Sequence, residues 1–328
     1  MSQTSLEQFG LDRPESGDDV AVPFTLENLD SRGRVVRLGA ELDTIISRHG
    51  YPEPVARLLG EAVTLAALIG SSLKFDGRFI LQSRTDGPVS LLVVDFDTPD
   101  GLRAYARYDD DALAEAEKAG RTKPEDLLGK GILALTVDQG AHMDRYQGIV
   151  ALEGEGLEEV AHTYFMQSEQ IPTRVRLAVA EHSERGQARP VWRAGGVLLQ
   201  HLPEHGQSMM PDLPGDGDFE NDETADPDFV EDDRWTEAKV LLDSLTDAEL
   251  ADPDLSSERL LFRLYHETGV RVFDPQILVE RCTCSAERVE QMINDFTPED
   301  RKDMVVDGQI EVVCEFCSTH YHFNPNQF

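Results

Sequence analysis

Four cysteines are the residues in this sequence best placed to do chemistry. The first 281 residues contain none. All four fall in the last 47, as Cys282-Thr283-Cys284 and Cys314-Glu315-Phe316-Cys317, with 29 residues between the pairs. In a reducing compartment such a cluster reads as metal-binding or redox-active rather than as a disulfide framework. Two close pairs of thiolates match the donor set of a tetrahedral Zn²⁺ site. Residues i and i+2 of an extended segment point the same way, so Cys282 and Cys284 can share one ion. Cys314 and Cys317 bracket a tight turn after the strand-like run from Ile310 to Val313. His320 and His322 are rival ligands, but their alternation with Tyr321 and Phe323 suits a terminal strand with one polar face. One Zn²⁺ on Cys282, Cys284, Cys314 and Cys317 is the expectation.

The same spacings permit local disulfides, whose Cα atoms must approach to roughly 4.4–6.8 Å. Energetics separate a staple from a switch. In the loop-entropy description a bridge closing about four residues contributes roughly 2 kcal/mol, and one closing about 30 contributes roughly 3.6. Structural zinc contributes on the order of 10–16 kcal/mol, and that energy is folding energy. An oxidant that turns the thiolates into disulfides therefore removes most of the stabilisation, and the segment around them should unfold.

These cysteines must be positioned by the elements before them. The chain has 328 residues and a mass of 36.5 kDa, enough for two domains. An N-terminal α+β core is expected over 1–205. Its sheet should be mixed or antiparallel, because strand and helix patterns do not alternate regularly. Strands are expected over 24–29 and 35–38 around a turn at Ser31-Arg32-Gly33. Further strands are expected over 78–83, 89–96, 102–108, 132–137, 147–152 and 174–179, and 194–201 could close the sheet. A wide apolar stripe from Val55 to Ile69, with Pro54 in the first turn, predicts a buried helix. Helices are also expected over 110–119 and 157–167, where a lone His162 reads as structural.

An acidic, disordered linker is expected over 206–235. Between Pro211 and Asp233 there are eleven acids and no base, broken by Pro and Gly. An amphipathic helical linker follows over 236–269. One face is drawn by Ala238, Leu241, Leu242, Leu245 and Ala248, another by Leu260, Leu261, Leu264 and Tyr265, with Gly269 as a stop. Neither helix is long enough to persist alone in water, so both must dock. The last segment, 270–328, is a small zinc-binding, redox-switch domain that at its size needs a staple. If the helices dock through it, its loss bares their apolar faces, a surface suited to other unfolded chains.

Charge excludes several partners. Asp and Glu number 63 against 30 Lys and Arg, a formal net charge of −33. Such a surface repels phosphate backbones and anionic lipid, so no nucleic acid and no membrane are expected. Residues 1–19 lack the basic start and apolar centre of an export signal, which points to the cytoplasm.

The sequence resembles the 33 kDa chaperonin family, the redox-regulated heat-shock holdases of bacteria. The Cys-x-Cys and Cys-x-x-Cys pairs match that family in type, order and separation. So do Tyr51-Pro52-Glu53-Pro54-Val55, Leu73-Lys74-Phe75-Asp76-Gly77, Asp86-Gly87-Pro88-Val89-Ser90, Arg145-Tyr146-Gln147-Gly148, the run from Tyr164 to Thr173, and Ala194-Gly195-Gly196. The acidic run is longer than the family usually carries there. The resemblance implies an ATP-independent chaperone and not an enzyme, inactive when reduced and zinc-bound. It implies that oxidation pairs Cys282 with Cys284 and Cys314 with Cys317, releases zinc and unfolds the C-terminal parts. It also implies a monomer when reduced, a homodimer when oxidised, and clients that are unfolded or oxidatively damaged proteins.

The rival reading is a thiol-disulfide oxidoreductase using Cys314 and Cys317, but no thioredoxin-like βαβ unit precedes them. A zinc-ribbon nucleic-acid module lacks a basic patch, since Arg301-Lys302 sits between Glu299-Asp300 and Asp303. Glu159 occupies the third glycine position of a would-be dinucleotide fingerprint after Gly154 and Gly156.

Overall fold

The computed structural model describes residues 15–74, 76–140, 145–183, 186, 188–202 and 232–328. Its centre is the helix Glu53–Gly70. Pro54 sits in the first turn, where its missing N–H goes unneeded, and every residue from Ala62 to Gly70 is buried. A helix apolar on all sides must be covered on all sides. Two six-stranded sheets do this, one on each flank.

In chain order the elements are β1 (Val20–Leu26), β2 (Ser31–Leu38), α1 (Ala40–Ser47), the central α2 (Glu53–Gly70), β3 (Arg78–Thr85), β4 (Val89–Asp97), β5 (Gly101–Tyr108), α3 (Asp110–Lys118), α4 (Pro124–Leu128), β6 (Lys130–Asp138), β7 (Tyr146–Glu153), α5 (Leu157–Tyr164), β8 (Thr173–His182) and β9 (Val191–His201). Then follow α6 (Asp233–Asp243), α7 (Asp247–Ala251), α8 (Ser257–Tyr265), β10 (Arg271–Val272), β11 (Gln276–Ile277), β12 (Val279–Glu280), α9 (Ala286–Asn294), α10 (Pro298–Asp303), β13 (Val305–Val306), β14 (Gln309–Val313) and β15 (His320–Phe323). One sheet runs β10-β1-β2-β9-β8 with β11 also on β1; the other runs β12-β5-β4-β3-β6-β7. Among the described residues all pairings in these two sheets are antiparallel except β12 on β5. The fold is the mixed α+β class expected.

Two local expectations are corrected. The turn between β1 and β2 is not at Ser31-Arg32-Gly33. Asp30, in a left-handed conformation at φ 42, makes it, and Ser31 already pairs with Leu26. Nor does β9 close its sheet: it lies inside, between β2 and β8, buried on both faces. Gly195 and Gly196 make that possible. A Cβ on Gly196 would stand 2.7 Å from the Thr64 methyl of α2 on one face, and a Cβ on Gly195 would stand 2.0 Å from the Leu250 carbonyl on the other.

That second face is covered by α6, α7 and α8. The apolar face expected as one helix from Ala238 to Ala248 is two helices, because Thr246 and Glu249 form a capping box that starts α7. Gly269, at φ +87, donates to the Tyr265 carbonyl at 2.8 Å and stops the helical run, as expected. Trp235, Leu242, Leu250, Leu261 and Tyr265 pack on Phe24, Val35, Val197 and Leu199 of the sheet. Arg193 grips Asp18 through two contacts of 2.6 Å and also reaches the Ala251 carbonyl at 3.3 Å, clamping the end of α7. The acidic stretch expected as a linker lies outside the described residues up to 231; Asp232 caps α6 by accepting from the Arg234 N–H.

The helical segment rests on close approach at Gly195, so Gly195→Ala pushes α7 outward. The expected penalty is about 1–3 kcal/mol. Hydrogen exchange should quicken over 233–265 while α2 keeps its protection; unchanged exchange in α6–α8 would contradict this close packing.

Candidate metal centre

Residues 285–328 have almost no core of their own. Among them only Ile293 (0% exposed) and Ile310 (1%) are buried. Burying an Ile fully contributes roughly 1.5–3 kcal/mol, well below what ordering such a length of chain costs at about 1 kcal/mol or more per residue. Something else must hold these residues, and the four cysteines sit where it must act.

Two arms bring the sulfurs together. The first arrives from the core. Leu278 is buried at 1% exposure and its N–H donates to the Asp19 carbonyl at 2.8 Å. β12 then pairs in parallel with β5, and the Arg281 N–H reaches the Leu102 carbonyl at 2.8 Å. Arg48 holds Glu280 at 2.7 Å and Arg281 holds Asp100 at 2.9 Å. Cys282 and Cys284 follow just after β12, outside any helix or strand. Arg103 of β5 donates to the Thr283 hydroxyl between them at 3.0 Å.

The second arm is the turn after β14. The Ser318 N–H donates to the Cys314 carbonyl at 2.8 Å and the Cys314 N–H to the Thr319 carbonyl at 2.9 Å, closing the turn that carries Cys317. Ser318 takes the left-handed φ of 54 that the turn needs. Phe316, at its tip, lies under the Arg103 guanidinium, 4.0 Å from ring centre, and edge-on to Tyr105 at 4.8 Å. The Phe316 carbonyl accepts from His49 Nε2 at 3.1 Å, so the other ring nitrogen, Nδ1, is free to accept from the Ser318 hydroxyl at 3.0 Å. Arg107 pairs with Glu315. The turn is thus docked on β5 and the end of α1.

The four Sγ atoms lie within 4.8 Å of one another. Cys282 and Cys314 are 3.7 Å apart, and Cys284 and Cys317 3.4 Å apart. A tetrahedron of thiolates around Zn²⁺, with bonds of about 2.3 Å, has edges of roughly 3.8 Å. The donor set and spacing fit that ion. Partners beyond the sulfurs orient them: the Tyr321 hydroxyl donates to Cys284 Sγ at 3.1 Å, and Thr319 Oγ1 lies 3.1 Å from Cys317 Sγ. Burial pushes the Cys282 and Cys314 thiols up. Burial acts the same way on Cys317, but hydrogen bonds from Thr319 and from the neighbouring cysteines outweigh it and hold that thiol down at about 7.

All four cysteines singled out in the sequence therefore converge. His320 and His322 do not join them: they project from the other side of β15 from Tyr321, beside Glu311. His162 is structural, accepting the Val175 N–H at 2.8 Å. Sequence reasoning missed His49, Arg103, Tyr105, Arg107, Thr319 and Tyr321. The period-2 run Arg103, Tyr105, Arg107 was a signal, since it marks one face of β5 as polar and aromatic. His49 left none, because its partners are 267 and 269 residues away.

Comparison with known proteins adds a relationship to this geometry. The family described as Hsp33 protein matches residues 19–324. The 33 kDa chaperonin of Caulobacter vibrioides is 47% identical over 317 residues, covering 95% of this chain and 97% of its own length. That of Ectopseudomonas mendocina is 37% identical over 310 residues, covering 94% and 92%. The crystal structure of a 33 kDa chaperonin (heat shock protein 33 homolog) from Thermotoga maritima shares the fold with a TM-score of 0.72 at 21% identity, over 94% of this chain and 96% of that one.

Phe316→Ala tests the docking. Losing the guanidinium and edge-on ring contacts should weaken it by about 1–2 kcal/mol. Amides of 314–319 should exchange faster; identical exchange would show that the turn is held by the sulfurs alone.

Proposed function

The chain belongs to the Hsp33 family, and on that footing we propose that it is a redox-regulated, ATP-independent holdase. It binds unfolding and oxidatively damaged proteins and keeps them from aggregating, with no catalytic residue. One observation carries this reading: residues 285–328, which bury only Ile293 and Ile310, are joined to the body through four clustered thiols.

In the reduced protein Cys282, Cys284, Cys314 and Cys317 hold one Zn²⁺, which supplies the staple. The first arm fixes Cys282 and Cys284 on the core, and the Phe316 turn fixes Cys314 and Cys317 against β5. In this state α6–α8 cover the outer sheet face, and the protein is an inactive monomer. Under peroxide stress the four thiolates give up four electrons. Each of two peroxide molecules takes two of these electrons and two protons from solvent and becomes two waters, four waters in all, while one S–S bond forms in each cysteine pair. A disulfide sulfur is no longer a thiolate ligand, so the ion leaves.

The proposed pairing, Cys282 with Cys284 and Cys314 with Cys317, matters for the consequence. Each bridge closes about four residues and contributes roughly 2 kcal/mol, and neither ties one arm to the other. The segment 270–328 then loses its fold, and the helical linker 236–269 loses the chain that anchors its far end. Lifting α6–α8 bares Phe24, Val35, Val197 and Leu199 on the sheet and Trp235, Leu261 and Tyr265 on the helices. Together they form an apolar surface for unfolded clients and for a second copy in the oxidised homodimer. The net charge of −33 keeps the loaded complex soluble. Among the described residues no helix is long and apolar enough to cross a membrane, and the site of action we assign is the cytoplasm.

Two experiments test the reading. Replacing Cys282 and Cys284 together by Ser should drop zinc to well below one per chain and loosen 270–328 without any oxidant; full zinc content would sink the four-cysteine site. In the peroxide-treated protein, peptide mapping should find Cys282 bonded to Cys284 and Cys314 to Cys317. Bridges joining one pair to the other would keep the arms tied and contradict the release mechanism.

A further inference from the structure

The C-terminal ribbon carries a second cluster of metal-binding side chains. β14 and β15 pair so that Glu311 stands opposite His322 and Val313 opposite His320. Alternation puts Glu311, His320 and His322 on one face. On the other, Tyr321 bonds to Cys284. That contact commits the second face to the cysteines and leaves the first turned to solvent, with all three residues exposed. His320 Nδ1 lies 2.6 Å from Glu311 Oε1, and the two imidazoles stack with centroids 6.4 Å apart and planes 19° from parallel. One donor atom from each residue lies within 4.8 Å of the others. The hydrogen bond from His320 and the neighbouring imidazoles hold the Glu311 carboxyl below its ordinary range, so it stands as a carboxylate.

We infer that Glu311, His320 and His322 form a second cation site, separate from the four cysteines, for a first-row divalent ion of the Zn²⁺, Ni²⁺ and Cu²⁺ class. Two imidazoles and one carboxylate suit these borderline ions, while Mg²⁺ and Ca²⁺ prefer oxygen donors throughout. The register supplies the geometry: two histidines two residues apart on one strand and a carboxylate across from them need only side-chain rotation to converge. Three protein donors leave further positions to water, so the site binds more weakly than four thiolates and exchanges its ion readily. An ion there ties β14 to β15 from the outer face while the cysteines hold the same ribbon from the inner one. These donors take no part in the redox chemistry, so the site stands even if the redox reading fails.

The test uses the full, untagged, reduced chain loaded with one zinc, titrated with Ni²⁺ in a calorimeter while released zinc is monitored. Wild type should take up one further Ni²⁺ without losing zinc. The paramagnetic ion should broaden the imidazole signals of His320 and His322. H320A/H322A should abolish this second uptake and keep its zinc, and E311Q should weaken it by at least roughly tenfold, the scale that even outer-sphere partners of a metal carry. A wild type that takes up no second ion, a double variant that still takes it up, or broadening confined to other histidines would each overturn the site. The broadening is read on wild type, so the test does not depend on how the variants fold.

Discussion

The fold of the last 44 residues depends on four sulfur atoms. Ile293 and Ile310 are the only side chains buried among residues 285–328, and α9, α10 and the β13–β15 sheet wrap around too little apolar surface to stay folded by it. Chains of this length usually need a covalent or metallic link. Here the link has one end on the body, where Leu278 enters the main core and β12 lies along β5, and the other on a turn docked through Phe316. Whatever changes the sulfurs changes how the whole C-terminal end is held.

In the proposed reading the helices upstream share that dependence at one remove. α6, α7 and α8 are 11, 5 and 9 residues long, at or below the length at which a helix persists alone. They exist because the sheet gives them an apolar surface, and Gly195 lets α7 approach that surface closely. Arg193 and Asp18 fix the end of α7 from beneath. The chain leaving α8 is pinned by β10, β11 and β12 on the edges of both large sheets. The helices therefore cover the sheet while the end of α7 and the chain after α8 are held, and the cysteines lie just past the second hold.

Much of this was legible in the sequence because the relevant signals are local. The cysteine spacings, the Pro54 helix start and the Gly269 stop each act within a few residues. The alternation of His320 and His322 with Tyr321 and Phe323 correctly implied a strand with one polar face. What the sequence hid was set by distant packing. β9 is apolar enough for an interior strand, but only the helices on its far side show why. The break at Thr246 competes with a continuous apolar face, and a capping box wins over periodicity there. The contact of His49 with the Phe316 turn joins two loops that no sequence pattern links.

The proposed coupling of sulfur chemistry to client binding is tested most directly by following aggregation of a chemically unfolded test protein. Light scattering is recorded at mild heat, with released zinc read in the same tube. The zinc-loaded reduced chain is compared with the same sample during peroxide treatment. A sulfur-held clamp gives no protection at first, then suppression of aggregation that rises in step with zinc release. That suppression should fall again on reduction with zinc restored. Zinc release with undiminished aggregation would contradict the coupling, leaving a metal-stapled protein whose thiol chemistry does not govern client binding.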